Sequence, residues 1–353
     1  MSISTRWKNW TMTKVSVMRY RIDILRNYIP IGVLPAESCS ITYNSDAEIK
    51  RSASITCNLG LMRLTVPELN RMGDRISPII IDDNGVEHRE GIYMMIASPK
   101  TYGDAYDSVN LELYDESYIL AQSAFDTRHY YPAGTPYTQV FNEILTENGF
   151  ARQYIDPSAS TLQIDREFAV GENILKSLNT LLEEAGFDTL HMDAEGYAKC
   201  TRKVDKTVPE FIYKANFNPG MTESFDVYGI PNVFVGVVST PDHSVMTYTA
   251  ENHNPNSELS IERRGYKLTK VYNLDSIASQ QELQDYVDNL LQNSMMAVEG
   301  VTFTTEIQPG HDFQNCVQVE HKEVTGLYIE KSWSYSFGTA ETMNHSVEKK
   351  VII

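Results

Sequence analysis

Apolar and polar residues alternate with a period of two through the first third of this chain, and this pattern limits the fold more than any other feature. The alternation begins at Val15 and continues to Ile24. Successive side chains of a β-strand point to opposite faces, so the pattern is typical of strands with one buried face. Further strands are predicted over residues 38–43, 52–59, 79–81, 91–98 and 108–114. We therefore interpret residues 13–125 as a mostly antiparallel β domain.

Helical spacing replaces this alternation after residue 125. Thr135 is predicted to cap a helix whose apolar stripe ends before Gly149, and a second stripe over residues 174–185 ends at Gly186. The turn over residues 193–196 predicts a hairpin after the second helix. Residues 126–205 are thus predicted to be a small α+β insert.

Strand patterns return in the last part of the chain. They cover residues 224–227, 231–239, 245–250, 301–307, 315–320, 327–337 and 346–353. A helix interrupts them over residues 279–297, where Ser279 and Glu282 have the spacing of a capping box. Residues 206–353 are therefore predicted to be a second β domain that contains this helix. The fold class expected for the whole chain is α+β and mainly β.

The distribution of charge separates a basic N-terminus from an acidic remainder. The chain has 30 basic and 47 acidic residues and a net charge of −17, which disfavours direct binding of nucleic acid or anionic lipid. Residues 1–26 carry six basic residues and only Asp23 as an acid. Residues 1–12 form an arm that is expected either to dock on another copy or to pair with the acidic surface of its own chain.

Two of the three tryptophans lie in the same arm, at Trp7 and Trp10. Tryptophan is enriched in the anchors of protein interfaces, so these residues are candidates for contacts in a neighbouring subunit. The alternative is that they cover the first β domain of their own chain. The candidate inter-subunit contacts are Trp7, Trp10, Arg6, Lys8 and Lys14.

The sequence offers no recognised catalytic or cofactor motif. Neither phosphate-binding glycine loop occurs, and the HExxH and GxSxG motifs are absent. We therefore expect no catalytic residue, no cofactor and no metal site. His311, Cys316 and His321 are interpreted as ordinary residues of a strand region, because Cys316 and His321 are five apart and face opposite sides of a strand.

Compartment and membrane association follow from the cysteines and from hydropathy. The four cysteines lie far apart without framework spacing, which fits free thiols in a reducing cytoplasm. The chain contains neither the apolar stretch of a secretion signal nor one long enough to span a membrane.

Three candidate sites with enzymatic or binding roles stay open at this stage. Carboxylate pairs such as Glu183 with Glu184, or Asp82 with Asp83, could serve a cell-wall hydrolase, although helix and turn positions also explain them. His253 with Glu251 and His243 could form a divalent site, or a general base with its orienting carboxylate, although a solvated loop explains them too. An aromatic run could bind carbohydrate or a receptor, or pack on its own domain; it comprises Phe125, His129, Tyr130, Tyr131 and Tyr137.

Several stretches resemble the hub proteins at the distal end of phage tails and related contractile injection machines. Residues 21–25 and 41–55 are similar to the first hairpin of that family, and residues 131–137 and 171–186 to its insert. Residues 230–235 and 254–257 resemble its second β domain, while 309–312 and 326–333 resemble its closing strands. The order of these motifs carries the resemblance, which runs from about residue 15 to the end.

This resemblance implies a structural component with two β-barrel-like domains per subunit. Three copies would form a pseudo-sixfold ring that joins a hexameric tail tube to a threefold tip or spike and leaves a channel for DNA. The implied partners are further copies of the chain, a tail-tube or distal tail protein, a tip or spike protein, and the tape measure protein. DNA would pass without specific binding and no membrane insertion by this chain is expected. The expected location is the virion tail tip or baseplate, after folding and assembly in the bacterial host cytoplasm.

Overall fold

The computed structural model describes residues 19–104, 106–214, 220–226, 228–238, 245–274, 277, 279–294, 296–321, 324–337 and 342–352. Its strands are β1 (Arg19–Arg26), β2 (Ile29–Val33), β3 (Ala36–Asn44), β4 (Arg51–Asn58), β5 (Asp74–Ile81), β6 (Glu87–Arg89), β7 (Tyr93–Ala97), β8 (Lys100–Thr101), β9 (Ser108–Asp115), β10 (His129–Tyr131), β11 (Gln153–Ile155), β12 (Arg166–Phe168), β13 (His191–Met192), β14 (Ala198–Cys200), β15 (Phe211–Lys214), β16 (Thr222–Asp226), β17 (Val233–Val238), β18 (Met246–Glu251), β19 (Thr269–Leu274), β20 (Met296–Glu306), β21 (Cys316–His321), β22 (Val324–Phe337) and β23 (Thr342–Ile352). Its helices are α1 (Leu59–Thr65), α2 (Ser117–Gln122), α3 (Tyr137–Glu147), α4 (Ile174–Glu184), α5 (Ile261–Arg264) and α6 (Gln280–Ser294). The predicted fold class, α+β and mainly β, is confirmed.

A single large sheet contains strands from both ends of the chain. Its order is β16-β20-β23-β22-β3-β4-β9-β7-β5-β1-β2, and β22 runs antiparallel to β3 with Ser334 opposite Thr42. Beneath it, Ile55 from β4 and Trp333 from β22 belong to the same buried apolar core. The first and last parts of the sequence therefore bury one another's apolar residues, which stabilises the sheet as a unit.

The predicted helices of the insert are present and pack on one core. α3 and α4 each bury the apolar stripe seen in the sequence, with Phe141 and Leu178 fully buried between them. The predicted cap at Thr135 is wrong by one residue, because the structural cap is Pro136. The Thr135 hydroxyl instead donates to the Pro132 carbonyl oxygen at 2.7 Å and closes the preceding turn.

The strands predicted over residues 231–250 form a separate sheet rather than part of the large one. Its order is β18-β17-β19, and α6 covers it through Leu283 and Val287. The helix predicted over residues 279–297 is confirmed but shorter, since β20 already begins at Met296.

The sequence pattern also missed the short helix α1. The strand predicted over residues 52–59 ends at Asn58, whose side-chain oxygen accepts hydrogen bonds from the backbone of Gly60 and Leu61. An asparagine in this position satisfies the free N–H groups of a first helical turn and so ends the strand. Among the described residues, the structure contains no helix long and apolar enough to cross a membrane.

Candidate functional site

One face of the large sheet is covered by small, uncharged polar side chains. We call this surface the hydroxyl face. It comprises Ser40 and Thr42 of β3, Ser52, Ser54 and Thr56 of β4, Asn110 of β9, Thr302 and Thr304 of β20, Ser332, Ser334 and Ser336 of β22, and Asn344 and Ser346 of β23. All of these residues are at least partly exposed, while their neighbours along each strand point into the core.

Strand register places these side chains next to one another across the sheet. Ser334 lies opposite Thr42 on one side and opposite Asn344 on the other. Thr42 in turn lies opposite Ser52, and Asn344 lies opposite Thr304, whose hydroxyl donates to the Asn344 side-chain oxygen at 3.0 Å. One row of small polar residues therefore crosses the sheet from β20 to β4.

A β-bulge in β22 makes this face continuous. Before the bulge, Tyr328 and Glu330 point into the protein; after it, Trp333 and Tyr335 do so. The extra residue at the bulge changes which positions face inward, because side chains of a strand alternate with a period of two. Without it, the aromatic residues would face outward and the serines would face the core.

Among the side chains that the structure describes, charge on the hydroxyl face lies at its margins. Carboxylates at exposed or partly exposed positions of the same strands include Glu37, Glu112, Glu306 and Glu348. Lys331, at the bulge, is paired with Asp46 at 3.1 Å and lies 3.8 Å from Glu348. The face can thus hydrogen-bond to water, but it offers few cations to a polyanion.

A second polar feature lies inside the protein, where two histidines flank one carboxylate. His311 Nδ1 is 2.5 Å from Glu330 Oε2, and His345 Nδ1 is 2.7 Å from Glu330 Oε1. All three side chains are buried, and the aromatic rings of Phe211 and Phe303 stack on His311 and His345 respectively. We call this group the His–Glu–His cluster.

The outer nitrogen of each histidine also has a partner. The Tyr213 hydroxyl lies 2.9 Å from His311 Nε2, and Thr305 Oγ1 lies 2.8 Å from His345 Nε2. The cluster therefore joins four strands, β15, β20, β22 and β23, to the segment that precedes β21.

Burial sets the protonation preference of the cluster. It lowers the pKa of His311 to about 3 and also lowers the pKa of His345, while it raises the pKa of Glu330. Desolvation penalises the charged form of each group, so neutral imidazoles are favoured.

The sequence pattern gave no indication of this cluster. It placed His311 with Cys316 and His321, but the structure brings His311 to His345 and Glu330 instead. Cys316 is buried in β21, and His321 lies at the other end of the same strand. The available signal was the inward position of Glu330 and His345 in apolar strands, which only the strand pairing could connect.

A buried arginine links the large sheet to the insert. The Arg51 guanidinium donates to the Met192 carbonyl oxygen at 3.0 Å and pairs with Asp312 at 2.6 Å. It also lies over the rings of Tyr43 and Trp333. Because Asp312 follows His311 directly, the same segment contributes to both buried polar groups.

The other residues singled out in the sequence fall partly within and partly outside the described residues. The candidate arm contacts Trp7, Trp10, Arg6, Lys8 and Lys14 lie outside the described residues. His243 also lies outside them, while His253 forms exposed contacts with Glu251 at 3.1 Å and Glu262 at 2.6 Å.

The carboxylate pairs and the aromatic run are likewise engaged within the fold. Asp82 accepts backbone hydrogen bonds in the β5–β6 turn, and Glu184 is paired with Arg166 at 2.5 Å. In the aromatic run, Phe125 stacks on Phe168 and most of the other rings are buried or partly buried. Tyr130 is the exposed member of the run.

Comparison with known proteins gives structural relatives only. A scan against protein-family models finds no match, and a search of curated proteins finds no relative. The fold is similar to a tail protein from Neisseria meningitidis (TM-score 0.69, 9% identity, covering 94% of this chain and 97% of that one). It is also similar to the 43 kDa tail protein of prophage MuSo2 from Shewanella oneidensis (TM-score 0.69, 12% identity, covering 93% and 98%).

A third similar structure is the prophage tail protein gp18 from Listeria monocytogenes (TM-score 0.57, 12% identity, covering 93% of this chain and 94% of that one). Likeness at such low identity establishes the fold rather than the activity. The resemblance to phage tail proteins that the sequence motifs predicted is therefore confirmed, and the chain has the fold of these phage and prophage tail proteins.

Proposed function

We propose that this protein is a non-enzymatic structural hub of a phage or prophage-derived tail, located at the tail tip or baseplate. Three copies form a pseudo-sixfold ring between a hexameric tail tube and a threefold tip or spike. The ring leaves a channel through which DNA passes. The proposal is supported by the likeness to phage and prophage tail proteins over nearly the whole chain.

The hydroxyl face is the observation that carries this proposal, and we assign it to the wall of the channel. DNA is a dense polyanion that binds surfaces rich in lysine and arginine. A wall of serine, threonine and asparagine with glutamates at its margins stays hydrated but does not hold phosphate. The net charge of −17 adds a repulsive field around the ring.

The two edge strands of the large sheet, as far as the described residues show, supply a means of joining copies. The sheet ends at β2 on one side and at β16 on the other, and Ile29 of β2 is 65% exposed. Unpaired strand edges favour association with another chain. In the proposed ring these edges lie at subunit boundaries, with the basic arm reaching an acidic neighbour.

The proposed partners are a tail-tube or distal tail protein on one side and a tip or spike protein on the other. The tape measure protein is a further proposed partner inside the channel. Assembly is proposed to take place in the bacterial host cytoplasm, which fits the buried free thiols of Cys39, Cys57, Cys200 and Cys316.

Electron microscopy of the purified full-length protein tests the proposal. Class averages are expected to contain rings with threefold or pseudo-sixfold symmetry and a central hole. Compact particles without symmetry, both alone and after mixing with the tail-tube and spike proteins of the same particle, would contradict it. Clearing of purified cell wall that disappears on Glu184→Gln substitution would support the hydrolase alternative instead.

A further inference from the structure

One contact of the His–Glu–His cluster requires a proton or a metal ion between its two atoms. The Thr305 hydroxyl donates its hydrogen to the Glu306 carbonyl oxygen at 2.8 Å. Thr305 Oγ1 can therefore only accept from His345, so the hydrogen of a neutral His345 is on Nε2. Its Nδ1 lone pair then faces Glu330 Oε1 at 2.7 Å.

Two lone pairs at this separation repel each other unless a cation lies between them. The cation is either a proton or a metal ion. Both hydrogen-bonding contacts of the Glu330 carboxylate are to histidines, and no lysine or arginine among the described residues is paired with it. An isolated carboxylate in an apolar interior is very costly, which makes the identity of this cation important for the fold.

We propose that His311, Glu330 and His345 bind one divalent transition-metal ion of the zinc class through His311 Nδ1, His345 Nδ1 and a Glu330 carboxylate oxygen. The donor atoms of the three residues all lie within 4.8 Å of one another. Two imidazoles and one carboxylate favour zinc and its neighbours over calcium or magnesium, which prefer oxygen ligands.

The surroundings match those of a metal centre. Metal-bound histidines normally donate their other N–H group to an acceptor that fixes the ring. Thr305 Oγ1 occupies this position for His345 and the Tyr213 hydroxyl for His311.

Metal binding requires a small adjustment of the carboxylate. With metal–ligand bonds of about 2.0–2.2 Å, tetrahedral ligand atoms lie about 3.3 Å apart. The present N–O distances are 2.5 and 2.7 Å, so Glu330 must retreat by less than about 1 Å. Because the cluster is fully enclosed, we expect the ion to enter while the chain folds.

The test uses full-length protein purified from cells grown with added cobalt, and separately with added zinc. Metal content is measured by plasma mass spectrometry, and the visible absorption of bound cobalt reports its coordination. We expect one ion per chain and the intense visible absorption of cobalt with a low coordination number. Wild-type protein with metal far below one ion per chain in both media would overturn the proposal and leave a proton as the cation.

Variants separate this site from adventitious binding. His345→Ala is expected to lower the bound metal at least tenfold, whereas His191→Ala, a buried histidine that stacks on Phe313, should leave it unchanged. Tyr213→Phe keeps all three ligands and is expected to weaken metal affinity about 10–100-fold. If His345→Ala fails to fold, Tyr213→Phe and the spectrum of the wild-type protein still test the proposed site. Equal metal retention in the wild type and all folded variants would contradict the assignment. The metal content of a chain can be measured whether or not the chains form rings, so this test is separate from the test of the proposed function.

Discussion

At the scale of single residues, the main departure from a simple pattern of apolar and polar residues is the burial of ionisable groups beneath the large sheet. Arg51 and Glu90 are both almost completely buried, and each lies close to the aromatic rings beneath the hydroxyl face. Glu90 accepts a hydrogen bond from the Tyr335 hydroxyl at 2.6 Å. Such groups hold segments that are distant in sequence together, but each must be neutralised or paired.

Glu90 should make stability depend on pH. Burial raises the pKa of Glu90 from 4.5 to about 7. The folded state therefore binds this proton more tightly than the unfolded state, and the free energy of unfolding should fall by up to about 3 kcal/mol as the pH rises from about 4.5 to about 7. Above that pH range, Glu90 should cause no further decrease in the free energy of unfolding.

The substitution Glu90→Gln should remove this contribution from the pH profile. Urea unfolding at pH 5 and pH 8 measures the change in the free energy of unfolding between the two pH values. The variant Glu258→Gln, at an exposed position, is the control. Equal pH dependence in wild type and Glu90→Gln would show that Glu90 does not titrate in this range.

At the scale of elements, close packing limits which residues can lie between the β18-β17-β19 sheet and α6. A Cβ atom added at Gly236 of β17 would lie 2.6 Å from Leu283 Cδ1 and 2.7 Å from Val287 Cγ2 of α6. Glycine is therefore needed here for close approach of the helix and not for its backbone conformation.

Gly236→Ala should destabilise this sheet and helix by about 1–3 kcal/mol through overpacking. Chemical denaturation measures the change. Gly220→Ala is the matched control, because a Cβ atom there meets nothing within 4 Å. In the double variant Gly236→Ala with Leu283→Ala, the decrease in the free energy of unfolding should be smaller than the sum of the decreases in the two single variants. A decrease equal to that sum would argue against a steric cause.

At the scale of the whole molecule, the proposed ring gives the two surfaces of the sheet different environments. The hydroxyl face should lie in the channel, whereas the insert should lie on the outside. All four native cysteines are buried, so a single introduced cysteine can be labelled selectively.

Ser334→Cys on the hydroxyl face should react more slowly with a bulky maleimide in rings than in dissociated chains. The expected decrease is about tenfold or more, on the principle that each 1.4 kcal/mol of hindrance changes a rate tenfold. Ser160→Cys, at an exposed position of the insert, is the control and should react equally in both states. Equal rates for Ser334→Cys in rings and dissociated chains would place this face outside the channel.

The N-terminal arm gives the second prediction at this scale. Deletion of residues 1–12 removes Trp7, Trp10, Arg6 and Lys8 and should weaken ring assembly while the domains remain folded. Analytical ultracentrifugation measures assembly, and circular dichroism measures folding. Unchanged assembly would mean that the arm does not act between chains.

The sequence by itself determined the mainly β class, the two helices of the insert and the resemblance to tail proteins. The class and the helices depend on local periodicity, and α3, for example, begins within two residues of its predicted cap at Thr135. The resemblance depends on the order of the motifs along the chain. The tertiary structure decided the rest. Only the pairing of β22 with β3 forms a continuous hydroxyl face, and only the approach of His311 to β22 and β23 assembles the His–Glu–His cluster. Such contacts join residues far apart in the chain, and periodicity within a segment carries no information about which strands pair.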